Sequence, residues 1–295
     1  MSNRRQVSHS KYHRLSLARV KRILAKIPSF ILLALGAIFM FAPFVWMFST
    51  SLQPGSEAFK VPPKWIPTEW MFSNYHTVIF EKEVPFILFG WNSLKVAGLV
   101  TIGQLITCSL AGFAFARLRF PGKNWIFVVL LSGLMVPVQV MIIPIYVIMR
   151  TLGLIDTHWA LILPWITNIF GVFLLRQFFL TLPKDLIDAA RIDGANYWQI
   201  YAKIALPLAK PSLAALAVVT FTNTWNNYFL PLVFISSKEN MTLPLGIRSL
   251  FNVYGGGNIA LVMAGVSVAV LPVLIIFLLA QKRIIEGMLR GSIKG

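Results

Sequence analysis

Polar side chains set inside long apolar runs are the first candidates for chemistry: Gln139, Asn168, Asn223, Asn226 and Asn227, with Trp225 and Tyr228 beside the last three. Amides and aromatic rings neither attack nor exchange protons near neutral pH; they donate, accept and stack. The stretch Asn223–Tyr228 can offer all three contacts to a hydroxyl-rich solute. It serves equally as a hydrogen-bonding seam between packed helices, since amides in lipid need partners. Groups for bond-breaking chemistry are missing from the pattern. There is no phosphate-cradling GxxxxGK[ST] loop, no HExxH and no GxSxG. His9, His13, His76 and His158 are scattered, so no metal site is expected, and Cys108 is a lone cysteine that reads as a small packing residue. The run Gly255-Gly256-Gly257 does not join a strand to a helix and is not a nucleotide-binding turn.

A second constellation lies in the polar segment 181–211. Thr181 is placed to cap, Pro183 suits a first helical turn, and Asp185 faces the positive end of the helix dipole. Gly194 suits a left-handed helix stop, and Asn196 can cap a second helix that Pro207 ends. Pro211 then starts another apolar run. In the first helix Leu186, Ala189, Ala190 and Asp193 fall at i, i+3, i+4 and i+7, one face whose alanines let another surface come close. The same spacing also fits an ordinary interfacial loop helix.

These groups must be positioned by apolar helices. The 295 residues are 57% hydrophobic and only 13% charged, where a soluble domain carries about a quarter charged residues. Six stretches are long enough to cross a bilayer: 29–49, 93–115, 125–149, 159–179, 212–235 and 259–280. The first exceeds the usual apolar core of a signal peptide and reads as an uncleaved helix. Met135–Gln139 and Pro144 predict a kink in the third. An all-α membrane protein with six spans follows. No Asp or Glu falls inside the six runs and Lys95 is the clear cation there, which weighs against an ion-coupled secondary transporter or channel, the competing class.

Of 27 Lys and Arg, twenty fall in segments 1–28, 116–124, 176–211 and 281–295. That asymmetry predicts both termini in the cytoplasm. Within the basic first 28 residues, Val20, Ile23, Leu24 and Ile27 recur at helical spacing among cations, suited to anionic headgroups or to simple anchoring. The formal charge of +17 is spread through short connections rather than one folded face, so no nucleic-acid partner is expected.

The segment Asp188-Ala189-Ala190, Gly194 and Ile204-Ala205-Leu206-Pro207 resembles the EAA motif of binding-protein-dependent ABC importers, with Asp in place of the leading Glu. From Asn92 to the end the chain is similar to the MalG-type permeases of carbohydrate importers, through Asn92-Ser93-Leu94, Val136-Pro137-Val138-Gln139, Ile143-Pro144-Ile145-Tyr146, Trp225-Asn226-Asn227-Tyr228 and the tail Gly287–Gly295. The resemblance implies a type I ABC importer permease fold in the bacterial inner membrane: a transmembrane domain over 29–280 with its EAA loop at 181–211, between a basic N-terminal segment and a tail over 281–295. It implies a second permease subunit, a dimer of ATPase subunits carrying ATP and Mg, and an extracytoplasmic solute-binding protein as partners. No cofactor is implied in this chain. Asp188, Ala189, Ala190, Gly194, Leu206 and Pro207 would dock on the ATPase, and Gly291, Lys294 and Gly295 would reach it from the tail. Gln139, Asn223, Trp225, Asn226, Asn227 and Tyr228 are the substrate-pathway candidates by residue type, whereas the resemblance, in which the sugar contacts lie mainly on the other permease, points to hydrogen bonding between the two permease subunits. Asn252, Gly255, Gly256, Gly257 and Asn258 would form a loop that enters the binding protein.

Overall fold

A computed structural model describes residues 28–292, apart from 59, 61, 63, 82 and 255. The amphipathic segment around Val20 lies outside the described residues, as do Gly255, Lys294 and Gly295. In chain order the helices are α1 (Pro28–Ser51), α2 (Ser73–Phe80), α3 (Phe86–Arg117), α4 (Lys123–Ser132), α5 (Val138–Thr151), α6 (His158–Ile162) and α7 (Ile169–Thr181). They continue as α8 (Lys184–Ile192), α9 (Tyr197–Ile200), α10 (Leu206–Leu208), α11 (Lys210–Trp225), α12 (Phe229–Phe234), α13 (Leu243–Tyr254) and α14 (Ile259–Ser292). No strand occurs among the described residues. Four stretches are long and apolar enough to span a bilayer: Pro28–Ser51, Phe86–Arg117, His158–Thr181 and Ile259–Gln281. Two bent pairs complete six.

The first bent pair is the kink expected at Met135–Gln139, and the second departs from the expectation of simple spans. The third expected span breaks between Met135 and Val138, where its halves meet at 103°. Pro137 favours this: it disfavours helical backbone at Val136, which is extended at φ −86°, ψ 115°. Pro144 sits inside α5 and is not where the chain turns. The fifth expected span, 212–235, divides at Asn226–Tyr228 into α11 and α12, with the Asn227 side chain accepting from Leu230 N at 2.9 Å. At the other end of α11, the stretch Tyr197–Leu208 meets Lys210–Trp225 at 74°. Pro207 therefore lies within this bent path rather than ending a helix, just after a π-helical turn at Tyr201–Ala205.

α3 is the central rod, packed on α7 and α11, and α11 packs on α14. Small residues bring α3 and α7 together: a Cβ on Gly112 would lie 2.9 Å from Arg176 N, and one on Gly171 would lie 2.8 Å from Cys108 Sγ. Cys108 is fully buried there. α1, by contrast, is exposed along most of its length and joins the body through Met47, Ser49, Thr50 and Ser51. α14 passes position 280 without a break, so helix geometry marks no boundary between span and tail.

Candidate functional site

The polar segment 181–211 folds as two short helices whose ends are fixed by local chemistry. α8 begins after Pro183, carries Asp185 in its first turn and Arg191 in its last, and so complements its own dipole. Thr181 does not cap it. That residue is the last of α7, and its hydroxyl donates back to Phe178 O at 2.8 Å. α8 stops at Gly194, whose φ is +82°, with Gly194 N donating to Arg191 O at 3.0 Å and Ala195 N to Ala190 O at 2.9 Å. A reciprocal capping box then starts α9: Gln199 N donates to Asn196 Oδ1, and Asn196 N to Gln199 Oε1, both at 2.9 Å.

The face expected from spacing divides. Ala190 turns inward with Ile187, into a core that also holds Phe179, Ile200 and Tyr201. Leu186, Asp188, Ala189 and Asp193 stay exposed, with Ile192 at 87% exposure and Trp198 at 64% beyond them. Among the described residues, an apolar ridge edged by carboxylates is thus left uncovered. Leu206, also expected there, is half-buried against the core instead.

Two contacts tie this unit to one stripe of α3. Arg117 Nε donates to Phe179 O at 2.9 Å, and its Nη2 donates to Phe179 O at 2.6 Å and to Leu182 O. These carbonyls end α7 just before α8 begins, where a cation is favoured by the helix dipole as well. Eight residues earlier, Ser109 shares a 2.7 Å hydrogen bond with Tyr201 in the π-helical turn. Phe113 lies between them, edge-on to Phe179 and tilted against Tyr201. Sequence reasoning missed Arg117, whose acceptors are backbone carbonyls and leave no residue pattern to read.

The same α3 lines a cavity of about 670 Å³ with Ser93, Val96 and Gln104. Of the expected pathway residues, Gln139, Asn223 and Asn227 are on its wall. Trp225 is not: it is buried elsewhere, stacked on Phe221 and donating from Nε1 to Ala269 O at 3.0 Å. Asn226 and Tyr228 are exposed but do not line the cavity. Sequence reasoning passed over Gln104, which accepts from Thr220 at 2.7 Å and donates to Trp165 O at 2.8 Å. A lone amide in an apolar run was the available signal. Among the described residues no charged side chain lines this space. Trp165 Nε1 and Thr242 Oγ1, on residues that do line it, are buried without a hydrogen-bond partner among the described residues.

At the opposite end from α8, Asn252 belongs to α13, and Gly256 and Gly257 form a tight turn before α14. Asn258 packs against Gly55 so closely that a Cβ there would lie 2.5 Å from Asn258 Cγ. The expected loop at 252–258 therefore begins inside α13.

The model of the family described as "Binding-protein-dependent transport system inner membrane component" matches residues 108–290. The arabinooligosaccharides transport system permease protein AraQ of Bacillus subtilis is 37% identical over 271 residues, covering 89% of this chain and 96% of that protein. The lactose transport system permease protein LacG of Rhizobium radiobacter is 33% identical, covering 94% and 100%. Among solved structures, a bacterial ABC transporter involved in import of the acidic polysaccharide alginate matches with a TM-score of 0.77 at 24% identity, over 90% of this chain and 97% of that one.

Proposed function

This chain belongs to the binding-protein-dependent transport system inner membrane components, and on that premise we propose that it forms half of the translocation pathway of an ATP-driven importer for a carbohydrate. The other half is a second permease. ATP and Mg sit on a dimer of separate ATPase subunits, and an extracytoplasmic binding protein delivers the solute. Both termini and the α8 unit face the cytoplasm, in keeping with the basic residues on that side. The basic N-terminal segment, the permease domain and the tail from 281 keep the boundaries drawn from the sequence.

The observation that carries this reading is the exposed ridge of α8 and its attachment to α3 by Arg117 and Tyr201. Force applied to that ridge reaches a helix that lines the cavity. The exchange between inward- and outward-open states follows if the ATPase binds one arrangement more tightly than the other. Asp188, Ala189 and Gly194 then present or shape the docking surface, while Ala190 seats it. The tail, including Gly291, Lys294 and Gly295, reaches the ATPase as well. On the outer side, the turn with Gly256, Gly257 and Asn258 meets the binding protein. Gln139, Asn223 and Asn227 offer neutral hydrogen bonds to passing hydroxyls.

The test is uptake of labelled arabinotriose or lactose into vesicles holding the complete set of subunits and the loaded binding protein. Uptake is expected to require ATP and every subunit. Accumulation by vesicles that contain this chain alone would overturn the reading.

A further inference from the structure

The short turn between α3 and α4 carries two adjoining hollows. One, of about 340 Å³, is lined by Arg119, Phe120, Gly122, Lys123, Asn124 and Trp125. The other, of about 280 Å³, is a groove along α4 lined by Gly122, Trp125, Ile126 and Val129. They share Gly122 and Trp125, so a hollow that carries Arg119 and Lys123 adjoins an apolar groove along α4.

The electrostatics of the pocket are unbalanced. Lys123 is the first residue of α4, at the end where the helix dipole is positive, and Arg119 lies four residues before it. The first turn has neither a carboxylate nor a side-chain cap. Cations at this end of a helix are unfavourable unless an anion sits among them. Lys123 Nζ donates to Leu118 O at 3.0 Å, at the C-terminal cap of α3, which offsets part of this cost and leaves further protons to give. Arg119 is exposed, and Trp125 is 73% exposed beside it, the placement of an interfacial tryptophan.

We propose that this turn is a binding site for an anionic phospholipid, whose phosphate sits between Arg119, Lys123 and the α4 N-terminus while an acyl chain lies along Trp125, Ile126 and Val129. The apolar groove is what selects a lipid over a free phosphate. The site lies on the basic side of the protein, where anionic headgroups of the cytoplasmic leaflet are supplied. The lipid would brace the turn that joins the central rod to the bent third span.

The experiment uses the assembled transporter, delipidated and titrated with dioleoylphosphatidylglycerol or dioleoylphosphatidylcholine, with bound lipid counted by native mass spectrometry. The wild type is expected to hold one phosphatidylglycerol with roughly thirty-fold preference over phosphatidylcholine at low ionic strength. Arg119→Gln with Lys123→Gln should remove that preference. Val129→Trp should weaken both lipids by blocking the groove. Phosphatidylglycerol with brominated chains should quench wild-type fluorescence more than that of Trp125→Phe. Equal lipid counts in wild type and the double variant would overturn the proposal, as would displacement of the lipid by millimolar inorganic phosphate. Loss of the lipid with sugar uptake intact would leave the transport reading standing, so the two fail separately.

Discussion

The hydroxyls of Tyr201 and Ser109 lie 2.7 Å apart, joining the π-helical turn beyond α9 to the C-terminal half of α3. A π turn is a local departure from the regular ladder that stores the option of rearranging. Fastened to the central rod, it is one of two side-chain hydrogen-bonded ties between this unit and α3. Tyr201→Phe removes the bond while keeping the ring against Phe113. The cost in stability should be small, about 1 kcal/mol, because Ser109 still donates to Leu105 O. Sugar transported per ATP hydrolysed should fall, and unchanged stoichiometry would show that the bond carries no motion.

Arg117 is the stiffer fastening. Removing its guanidinium leaves the carbonyls of Phe179 and Leu182 without their charged donor, a loss on the order of 2–3 kcal/mol. Arg117→Lys supplies one point charge in place of the planar fork and should recover only part of it. The expected signature is ATPase activity that persists in the assembled complex while uptake drops, more in Arg117→Met than in Arg117→Lys. Thermal melts of both variants separate this from simple unfolding.

Gly194 stands at φ +82° with nothing within 4 Å of where a Cβ would go. A side chain there meets no steric wall, so any penalty is conformational. Gly194→Ala should cost about 1–2 kcal/mol locally, and a β-branched residue more. The turn would relax and the angle between α8 and α9 would change. Membrane insertion should be normal, with ATP hydrolysis uncoupled from uptake in proportion to side-chain bulk.

The contrast between these residues shows what the sequence discloses. Gly194 and Asn196 were legible because helix ends depend on local residue chemistry. The six apolar runs were legible by length. The division of Ala189 from Ala190 was not, since spacing defines a face but not which part of it the rest of the chain will cover. Pro137 and Pro144 were both visible, yet only packing and the hydrogen bonds of α5 decide that the chain turns at the first. Arg117 and Gln104 act across 62 and 116 positions, on Phe179 and Thr220, and no local pattern encodes such pairs. Trp225 looked like a pathway residue by its neighbours, but its side chain points to the other face of α11.

Gln104 gives a test of the cavity wall. It bridges Thr220 and the carbonyl of Trp165, so it joins α3, α11 and the turn before α7. Gln104→Leu leaves both partners unpaired in a buried place and should cost about 1–3 kcal/mol. Gln104→Glu keeps the acceptor for Thr220 but adds charge to a neutral wall, and so should hinder a neutral sugar beyond its effect on stability. Uptake at matched protein levels distinguishes the two. Equal uptake by Gln104→Glu and the wild type would remove this position from the pathway.

Asp156 holds together two connections at the opposite end from α8, and its pH behaviour can be worked out. Its carboxylate accepts from Ser236 N at 2.8 Å, Ser237 N at 2.9 Å and Ser237 Oγ at 3.0 Å. Its own backbone closes the clasp, accepting from Asn240 Nδ2 at 2.7 Å and donating to Phe234 O at 2.9 Å. The residue sits at φ 61°, a conformation that Asp and Asn tolerate better than most. The Ser237 amide, opposed next by burial and then reinforced by the Ser236 amide and the Ser237 hydroxyl, holds the carboxyl below its ordinary range. A depressed folded pKa means the stabilisation is complete above the unfolded value of about 3.9. It is lost as pH falls through the folded value. Stability of the assembled transporter should therefore show no contribution from this clasp to its pH dependence between about pH 5 and 8, and should lose it only in stronger acid. Asp156→Asn keeps the backbone geometry but replaces a charged acceptor with a neutral one, so it should lower the melting temperature at neutral pH and flatten the acid limb. An Asp156→Asn melting curve that tracks the wild type at every pH would show that the backbone bonds hold the clasp without the carboxylate.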